Sequence, residues 1–364
     1  MTPQQITAWR LHRCGLIGEP WPDPGSAMRR LGANQAQDFG PAIWSIGQRL
    51  PSASEADLLG WFDAGHLLRT HVLRPTWHFV LPSEIRWLLT VTGPRVHAFN
   101  AYYYRQTGLD DELLLHRCHD LIGNALAGGR ALTRTEIAAA LAKDGIEASG
   151  TRLSLILMHT ELDQLICSGP RRGRQQTYAL LAERAPAVVE LARDDALAEL
   201  TRRYFGCRGP ASAKDLAWWS SLTMADVRHG IQLVGRQLES REFDGITYYW
   251  HGALDTPPEL PAGTVHLLQP YDECVGSYSE TKQLWDLAGH GQRRPDRGAY
   301  VGLVLRDAQF AGFWKRTVKR SDVIVDVQLV EPFDATATRS LRDAVAEHGR
   351  FLDREGVLAE PTYF

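Results

Sequence analysis

The sequence predicts an α+β protein in which three segments share one order of elements and a strand-rich region follows them. In each segment, two stretches with helical periodicity precede an alternating stretch or a turn-centred pair of strands. Helix, helix and hairpin in this order is the winged-helix plan, so we predict three tandem winged-helix motifs. Apolar and polar residues alternate in the C-terminal region, which predicts a small antiparallel sheet there.

The first predicted domain covers residues 1–110. "PQQITAWRLHRCGL", "SAMRRLGANQAQ" and "PAIWSIGQRL" have helical periodicity, and "SEADLLGWFDAGHLL" opens with a helix-capping signal. "RTHVLRPTWHFVLP" alternates and predicts a strand.

The second predicted domain covers residues 111–190. "LTRTEIAAALAKDG" opens on a capping threonine, Thr133, and "SGTRLSLILMHTELDQL" predicts a second helix. "ICSGPRRGRQQTYALL" then predicts strand, turn and strand. Three arginines at this turn stand where DNA phosphates could be met, namely Arg171, Arg172 and Arg174.

The third predicted domain covers residues 191–262, and the C-terminal region covers 263–364. "PASAKDLAWWSSL" and "TMADVRHGIQLV" predict helices, and "REFDGITYYWHG" predicts a hairpin with an Asp-Gly turn. In the C-terminal region, alternating strands precede a closing helix, "ATRSLRDAVAEHGRFL". Its segment "WKRTVKR" is a second predicted phosphate-contacting hairpin, through Lys315, Arg316, Lys319 and Arg320. For both basic hairpins, solvated charged loops are the alternative interpretation.

Composition excludes several classes of protein. Hydrophobic residues make up 44% of the chain and charged residues 23%, as in ordinary globular proteins. The formal net charge of −3 excludes a uniformly basic nucleic-acid binder, but it leaves room for a local basic face. No stretch approaches the roughly 20 apolar residues that span a bilayer, so we expect no membrane association. The five cysteines never form a C-x-x-C motif, which indicates reduced thiols and a cytoplasmic protein.

The stretch "LGANQAQDFG" separates two helical patterns and contains a Q-x-Q pair, Gln35 and Gln37. On a helix, residues i and i+2 point about 200° apart, whereas on an extended chain they face the same side. The two amides can therefore act on one target only if the chain leaves the helix at Asn34. Together they could hold a water molecule or line the edge of a base. Taken alone, Q-x-Q is more typical of surface glutamines at a helix end.

Two further groups could carry chemistry. If "RPTWHF" is a strand, Arg74, Thr76 and His78 share its polar face, although this face could equally be the solvent side of an edge strand. "HRCHD" contains three metal-ligating residues, His116, Cys118 and His119, but it lies in a helical pattern, lacks a fourth ligand nearby and has no second half elsewhere. We therefore predict no metal and no cofactor.

Five segments in order resemble one known family. They are similar to segments of the bacterial winged-helix DNA glycosylases, and they read "LGANQAQD", "HVLRPTWHFVLP", "DLAWWSSL", "QPYDECVGSY" and "GFWKRTVKR". This family includes the azinomycin self-resistance enzyme AlkZ and its relative YcaQ. The resemblance implies three tandem winged helices and a β-rich C-terminal part that form a C-shaped DNA-binding channel. It also implies excision of N7-alkylated purines, including bulky adducts and, in some members, interstrand cross-links. The family motif is Gln, an apolar residue, then Gln or Asp, and this chain has the two-Gln form.

The resemblance also implies roles for individual residues. Gln35 and Gln37 would hold the water that attacks C1′ of the damaged nucleotide. A hairpin at about 300–316 would probe the lesion from a groove, anchored on phosphates by Lys315 and Arg316. The expected enzyme is a monomeric, monofunctional DNA glycosylase whose partner is double-stranded DNA with alkylated purines. The residues expected to border its pocket are Asn34, Asp38, Arg74, Thr76 and His78.

A DNA-binding regulator without catalysis is the competing interpretation. Its winged helices would read an operator, and the glutamine pair would contact base edges, since glutamine can pair bidentately with adenine. A regulator of this size is usually a symmetric dimer, whereas three unlike modules on one chain suit asymmetric engagement of a lesion. The enzyme is therefore the favoured interpretation.

Overall fold

The computed structural model describes residues 1–185, 191–254, 256–293 and 302–364. Helices and strands are mixed throughout these ranges, which confirms the predicted α+β class. The chain divides into two compact units. Unit 1 contains Met1–Leu59, Thr201–Trp218 and Val234–Phe364, and unit 2 contains Gly60–Leu200 and Trp219–Leu233. The four domains with boundaries at 110, 190 and 262 stay a prediction.

The N-terminal 110 residues contain five helices and three short strands. In chain order they are α1 (Pro3–Arg13), α2 (Pro24–Leu31), β1 (Asn34–Gln35), α3 (Phe39–Gly47), α4 (Glu55–Asp63), β2 (Leu68–His71), β3 (Trp77–Val80) and α5 (Ile85–Gln106). "RTHVLRPTWHFVLP", predicted as one strand, is a hairpin in which Leu68 pairs with Val80. The chain reverses because two tight turns follow one another, from Val72 to Arg74 and from Arg74 to Thr76. Pro75 between them has a fixed φ and no N–H for a ladder.

The second segment has the predicted order of helix, helix and hairpin. Its elements are α6 (Glu112–Leu126), β4 (Leu132–Thr133), α7 (Arg134–Lys143), α8 (Gly150–Leu162), β5 (Ile166–Ser168), β6 (Thr177–Leu180) and α9 (Leu181–Arg184). Thr133 and Glu136 form a capping box at the start of α7, as the sequence predicts. Strands β5 and β6 are antiparallel, and β4 joins the free side of β6. Apolar residues of α6, α7 and α8 form the core beneath this sheet, including Ile122, Ile137 and Ile156.

The third segment also ends in the predicted hairpin. Its elements are α10 (Arg193–Arg208), α11 (Ala213–Ser220), α12 (Met224–Val234), a 3-10 helix (Gly235–Gln237), β7 (Leu238–Phe243) and β8 (Ile246–His251). Asp244 and Gly245 at the turn both have positive φ, 51° and 71°. Two consecutive positive φ angles define the turn that matches the twist of a two-residue hairpin.

The C-terminal region forms a curled sheet with the strand order β13-β12-β11-β10-β9, and β14 lies beside β12. Its elements are β9 (Val265–Leu268), α13 (Glu273–Gly276), 3-10 helices (Lys282–Trp285 and His290–Arg293), β10 (Gly302–Arg306), β11 (Gln309–Val318), β12 (Asp322–Leu329), α14 (Ala335–Phe351), β13 (Glu355–Leu358) and β14 (Thr362–Tyr363). Strands β9 to β12 are antiparallel, as predicted. The two last strands pair in parallel with β12, because α14 carries the chain back along the sheet before they begin.

Within the described ranges, no helix combines the length and apolar character needed to cross a bilayer. All five cysteines lie in these ranges, and each is buried with a free thiol.

Candidate active site

The Q-x-Q pair lies in a short connection between two helices, with Gln35 in an extended segment and Gln37 in a bend. Gly32 ends α2 with a φ of 71°, and its N–H donates to the carbonyl of Met28. Asn34 and Gln35 are extended, and Asp38 is extended before α3 begins. The backbone therefore leaves the helix before the first glutamine, as joint action of the two amides requires.

Side chains of the segment 269–278 hold the backbone of Gln35 on both sides. The N–H of Gln35 donates to Oε1 of Glu273 at 2.8 Å. Its carbonyl accepts from Nε2 of Gln269 at 3.3 Å. These two residues belong to "QPYDECVGSY", so a distant part of the chain fixes the position of the motif. We call 269–278 the anchor segment.

An ion pair fixes Glu273 in turn. Its Oε2 accepts from a guanidinium nitrogen of Arg208 at 2.8 Å and from the hydroxyl of Ser277 at 2.8 Å. The same guanidinium nitrogen also donates to the carbonyl of Ala33 at 3.2 Å. Arg208 is fully buried. Burial works against its charge, but the carboxylate of Glu273 outweighs this effect and raises the pKa of Arg208.

A second buried ion pair supports the residue before the motif. Asp272 accepts two hydrogen bonds from Arg49, at 2.7 and 3.0 Å, and both side chains are fully buried. Burial works against the charge of Arg49, and Asp272 reverses this and raises its pKa. The hydroxyl of Ser45 lies 2.7 Å from Oδ2 of Asp272 and 3.1 Å from Oδ1 of Asn34. Asn34 also donates to the carbonyl of Ala42 at 3.2 Å. Both ends of its amide group therefore form hydrogen bonds within the protein.

The two glutamines differ in exposure. Gln35 is 9% exposed, whereas Gln37 and Asp38 are exposed to solvent. The backbone of Gln35 is thus fixed within the protein, and the side chain of Gln37 is exposed two positions further along the chain. Uncharged amides donate and accept hydrogen bonds, which allows them to orient a water molecule.

The three residues of "RPTWHF" do not share one strand face. Arg74 and Thr76 lie in the turn between β2 and β3, and His78 lies in β3. Arg74 and His78 still meet: a guanidinium nitrogen lies 3.5 Å from Nε2 of the imidazole. Arg74 also donates to the carbonyl of Trp219 at 2.9 Å, and Nδ1 of His78 lies 2.9 Å from the carbonyl of Thr76.

The arginines predicted at the first basic hairpin lie in the turn between β5 and β6. Arg171 forms two hydrogen bonds with the carboxylate of Asp63, at 2.7 and 3.1 Å. Arg172 forms an exposed ion pair with Glu136 at 2.7 Å, and Arg174 is exposed. We call this turn, 169–176, the wing.

The second basic hairpin contributes residues of different exposure. Lys319 and Arg320 are exposed at the turn between β11 and β12, and Lys315 is half-buried. Arg316 lies against Gly40 at the start of α3, and its guanidinium donates to Nε2 of His348 at 3.0 Å. Burial lowers the pKa of Arg316, with Glu55 acting in the opposite direction. Of the hairpin predicted at 300–316, residues 300 and 301 lie outside the described ranges.

One basic surface escaped the sequence analysis. A cleft in unit 1 is lined by arginines of α1, α2 and α10. Arg13 is committed to backbone carbonyls, including those of Gly206 and His251. The signal was present as two Arg-Arg pairs, in "AMRRLGANQ" and "LTRRYFG". We call this cleft the arginine cleft and define it by four of its lining residues, Arg29, Arg30, Arg202 and Arg203.

Among the described residues, one group of side chains has the spacing of a metal site: His97, His159 and Asp163. None of them belongs to the Q-x-Q segment or to the anchor segment.

Comparison with known proteins supports a specific family. A family model described as "DNA glycosylase AlkZ-like" matches residues 28–351. Among solved structures, Streptomyces sahachiroi DNA glycosylase AlkZ is similar in fold, with a TM-score of 0.81. The match covers 99% of this chain and 100% of that chain at 20% sequence identity. No curated protein sequence matches the chain.

The chain therefore belongs to a class of DNA-repair enzymes, the DNA glycosylases, which hydrolyse N-glycosyl bonds. Within that class it is a member of the AlkZ-like family, because the family model covers most of its length. The resemblance stated from the five sequence segments is confirmed.

Proposed function

We propose that the protein removes N7-alkylated purines from double-stranded DNA, with Gln35 and Gln37 positioning the attacking water. The observation that carries the proposal is the clamped backbone of Gln35. Both its N–H and its carbonyl are held by the anchor segment, and the next glutamine is exposed. Such a site supplies two amide side chains, the first of them on a fixed backbone.

The chemistry of the lesion suits such a site. Alkylation at N7 gives the purine a positive charge, so the base leaves without prior protonation and no strong acid is needed. The bond breaks with oxocarbenium character at C1′, and the remaining task is to align a water molecule with that carbon. Two neutral amides can do this, and an undamaged purine stays attached because nothing assists its departure. Bulky adducts and cross-linked purines carry the same charge and fall within the same substrate class.

We also propose that the enzyme is monofunctional. A glycosylase that cuts the DNA strand as well needs an amine to attack C1′ and form a Schiff base. The stretch 1–59, which contains the Q-x-Q segment, has no lysine. With water as the nucleophile, the product is an intact strand with an abasic site.

The arginine cleft is a further candidate DNA-binding surface, in addition to the predicted basic hairpins. Arg29 and Arg30 stand on the helix that ends at the Q-x-Q segment, and Arg202 and Arg203 line the same cleft. Guanidinium groups recognise phosphate bidentately, so this cleft can hold the DNA backbone beside the damaged nucleotide.

The test uses a duplex with a single N7-methylguanine. Incubation followed by alkali should cut the strand at the lesion, and incubation alone should leave it whole. The Gln37→Ala variant should lose product by about 100-fold or more, as expected when a group that aligns the reactants is removed. It should still retard the duplex in a gel. Gln283→Ala, which truncates an exposed glutamine of a 3-10 helix, is the matched control and should keep wild-type activity.

Two results would contradict the proposal. If the wild type yields no product from any cationic purine lesion, the chain binds DNA without this chemistry, as a regulator would. If Gln37→Ala excises the base at the wild-type rate, the glutamine pair does not hold the water. Strand cleavage without alkali would contradict the monofunctional assignment alone.

A further inference from the structure

A cluster of imidazole rings lies where three helices of unit 2 meet. We call it the histidine cluster, and its members are His97 of α5, His119 of α6, His159 of α8 and Asp163 directly after α8. The rings of His97 and His159 have centroids 4.6 Å apart, and those of His119 and His159 have centroids 5.2 Å apart. The mechanism proposed above uses none of these residues.

The nitrogen and oxygen atoms of the cluster converge. Nε2 of His97 lies 3.0 Å from Oδ1 of Asp163, and Nδ1 of His159 lies 3.1 Å from Oδ2. Nε2 of His119 lies 3.2 Å from Nδ1 of His159 and 3.7 Å from Oδ2 of Asp163. Bonds of 2.0–2.1 Å to a tetrahedral ion place its ligand atoms about 3.3 Å apart. Three of the four distances, 3.0, 3.1 and 3.2 Å, are close to this value, and they reach both oxygens of the Asp163 carboxylate.

The rings turn their nitrogens toward one small volume. Nδ1 of His159 has two polar neighbours at close range, Nε2 of His119 and Oδ2 of Asp163. Nδ1 of His97 lies 3.2 Å from the hydroxyl of Tyr104, so Nε2 is the nitrogen that faces Asp163. Several potential ligand atoms therefore meet at one place.

We propose that the histidine cluster binds one zinc ion through its three imidazole rings and the carboxylate of Asp163. Three nitrogen ligands and one oxygen ligand suit zinc, and four protein ligands define a closed, structural site. The contact between Nδ1 of His97 and the hydroxyl of Tyr104 fixes the ring so that Nε2 faces Asp163, and such partners on the second nitrogen are usual for metal-bound histidines. Asp163, with a side chain 39% exposed, leaves an entry path.

The zinc site would join α5, α6 and the end of α8. α6 and α8 supply part of the core of the second segment, so the ion would stabilise this part of the protein and take no part in base excision. The sequence hides the site because its ligands are dispersed: His119 and His159 are 40 residues apart. In "HRCHD", Cys118 points into the core and only His119 joins the cluster.

The test titrates zinc chloride into full-length protein freed of metal by a chelator. Calorimetry should give one zinc ion per chain with a Kd below about 1 µM. His159→Ala and Asp163→Asn should each weaken binding by about 100-fold or more, since even outer partners of metal ligands contribute 10–100-fold. His229→Ala is the matched control, because it removes an exposed histidine that is also paired with a carboxylate, that of Asp194. It should bind zinc like the wild type.

Thermal unfolding provides a second readout. Zinc should raise the Tm of the wild type and of His229→Ala, and it should leave the Tm of the two site variants unchanged. If His159→Ala does not fold, the milder Asp163→Asn decides the matter alone. Absence of saturable binding by the wild type would overturn the proposal, as would equal binding by a folded Asp163→Asn variant.

Discussion

The protein uses arginine in two contrasting ways, in the anchor of the Q-x-Q segment and in the wing. Arg49 and Arg208 are fully buried, and each is paired with a buried carboxylate of the anchor segment. Arg172 of the wing forms an ion pair with Glu136 in which both side chains are more than 40% exposed. Paired burial holds a guanidinium in one place, whereas an exposed pair exchanges readily with water or with a phosphate.

The difference matters for what each region can do. A site that aligns a water molecule with C1′ tolerates little displacement, so it benefits from partners that cannot leave. A surface that follows a phosphate backbone has to adapt, so weak and replaceable partners suit it. The following substitutions test whether the two sets differ in energy as they differ in burial.

Breaking the buried anchor should have the largest effect. Asp272→Ala leaves the guanidinium of Arg49 buried without its carboxylate, so the free energy of unfolding should fall by about 3–5 kcal/mol. Urea denaturation measures this change. Glu280→Ala, which removes the partner of the exposed Lys214, is the control and should cost less than about 1 kcal/mol. Equal losses for the two variants would contradict the contrast between buried and exposed pairs.

Arg316 is intermediate in exposure between the buried arginines of the anchor and the exposed arginines of the wing. Its hydrogen-bond partner His348 makes the stability of the protein depend on pH. Burial, with a smaller contribution from Arg316, lowers the pKa of His348 to about 3. The unfolded chain therefore binds a proton that the folded chain does not, between the ordinary pKa of histidine, about 6.5, and 3. Stability should fall as the pH falls through this window, by up to about 1.4 kcal/mol per pH unit from this residue.

His348→Phe tests the assignment of this pH dependence. The variant keeps an aromatic ring beside Trp44 and Trp314 but cannot take up a proton. Urea denaturation between pH 6.5 and 5 should therefore show a shallower loss of stability than in the wild type. His229→Ala should keep the wild-type slope, because this histidine is exposed. An unchanged slope in His348→Phe would assign the acid sensitivity to other groups.

The smallest effect is expected at the wing. Arg174→Ala should leave the free energy of unfolding unchanged within about 0.5 kcal/mol, as for surface substitutions in general. It should weaken DNA binding and reduce the slope of log affinity against log salt by about 0.9, the value for one phosphate contact. Fluorescence anisotropy with a labelled duplex at several salt concentrations measures both. An unchanged slope would remove the wing from the DNA-binding surface.

Local signals predicted much of the fold. The capping box at Thr133 and the Asp-Gly turn at Asp244 act within a few residues, so the sequence alone identifies them. The helical periodicity of "SAMRRLGANQAQ" extended too far, because Gly32 ends the helix after Leu31 and the chain is extended at Asn34. The hairpin in "RTHVLRPTWHFVLP" was predicted as one strand, because alternation continues through its tight turn at Pro75.

Long-range contacts set the limit of prediction at the site. Glu273 and Gln35 are 238 residues apart, and nothing in either segment indicates that a carboxylate of one accepts a backbone N–H of the other. The arginine cleft was not predicted for the same reason, because its two Arg-Arg pairs lie on helices that are far apart in sequence. The expected roles of Arg74, Thr76, His78 and the basic hairpins stay predictions.

Glu273 and Gln269 hold Gln35 through its main chain, at the amide N–H and the carbonyl oxygen. Every non-proline amino acid has those same two groups, so these two hydrogen bonds do not depend on the identity of the side chain at position 35. A substitution at position 35 can therefore change the functional group at this point while both main-chain hydrogen bonds are kept.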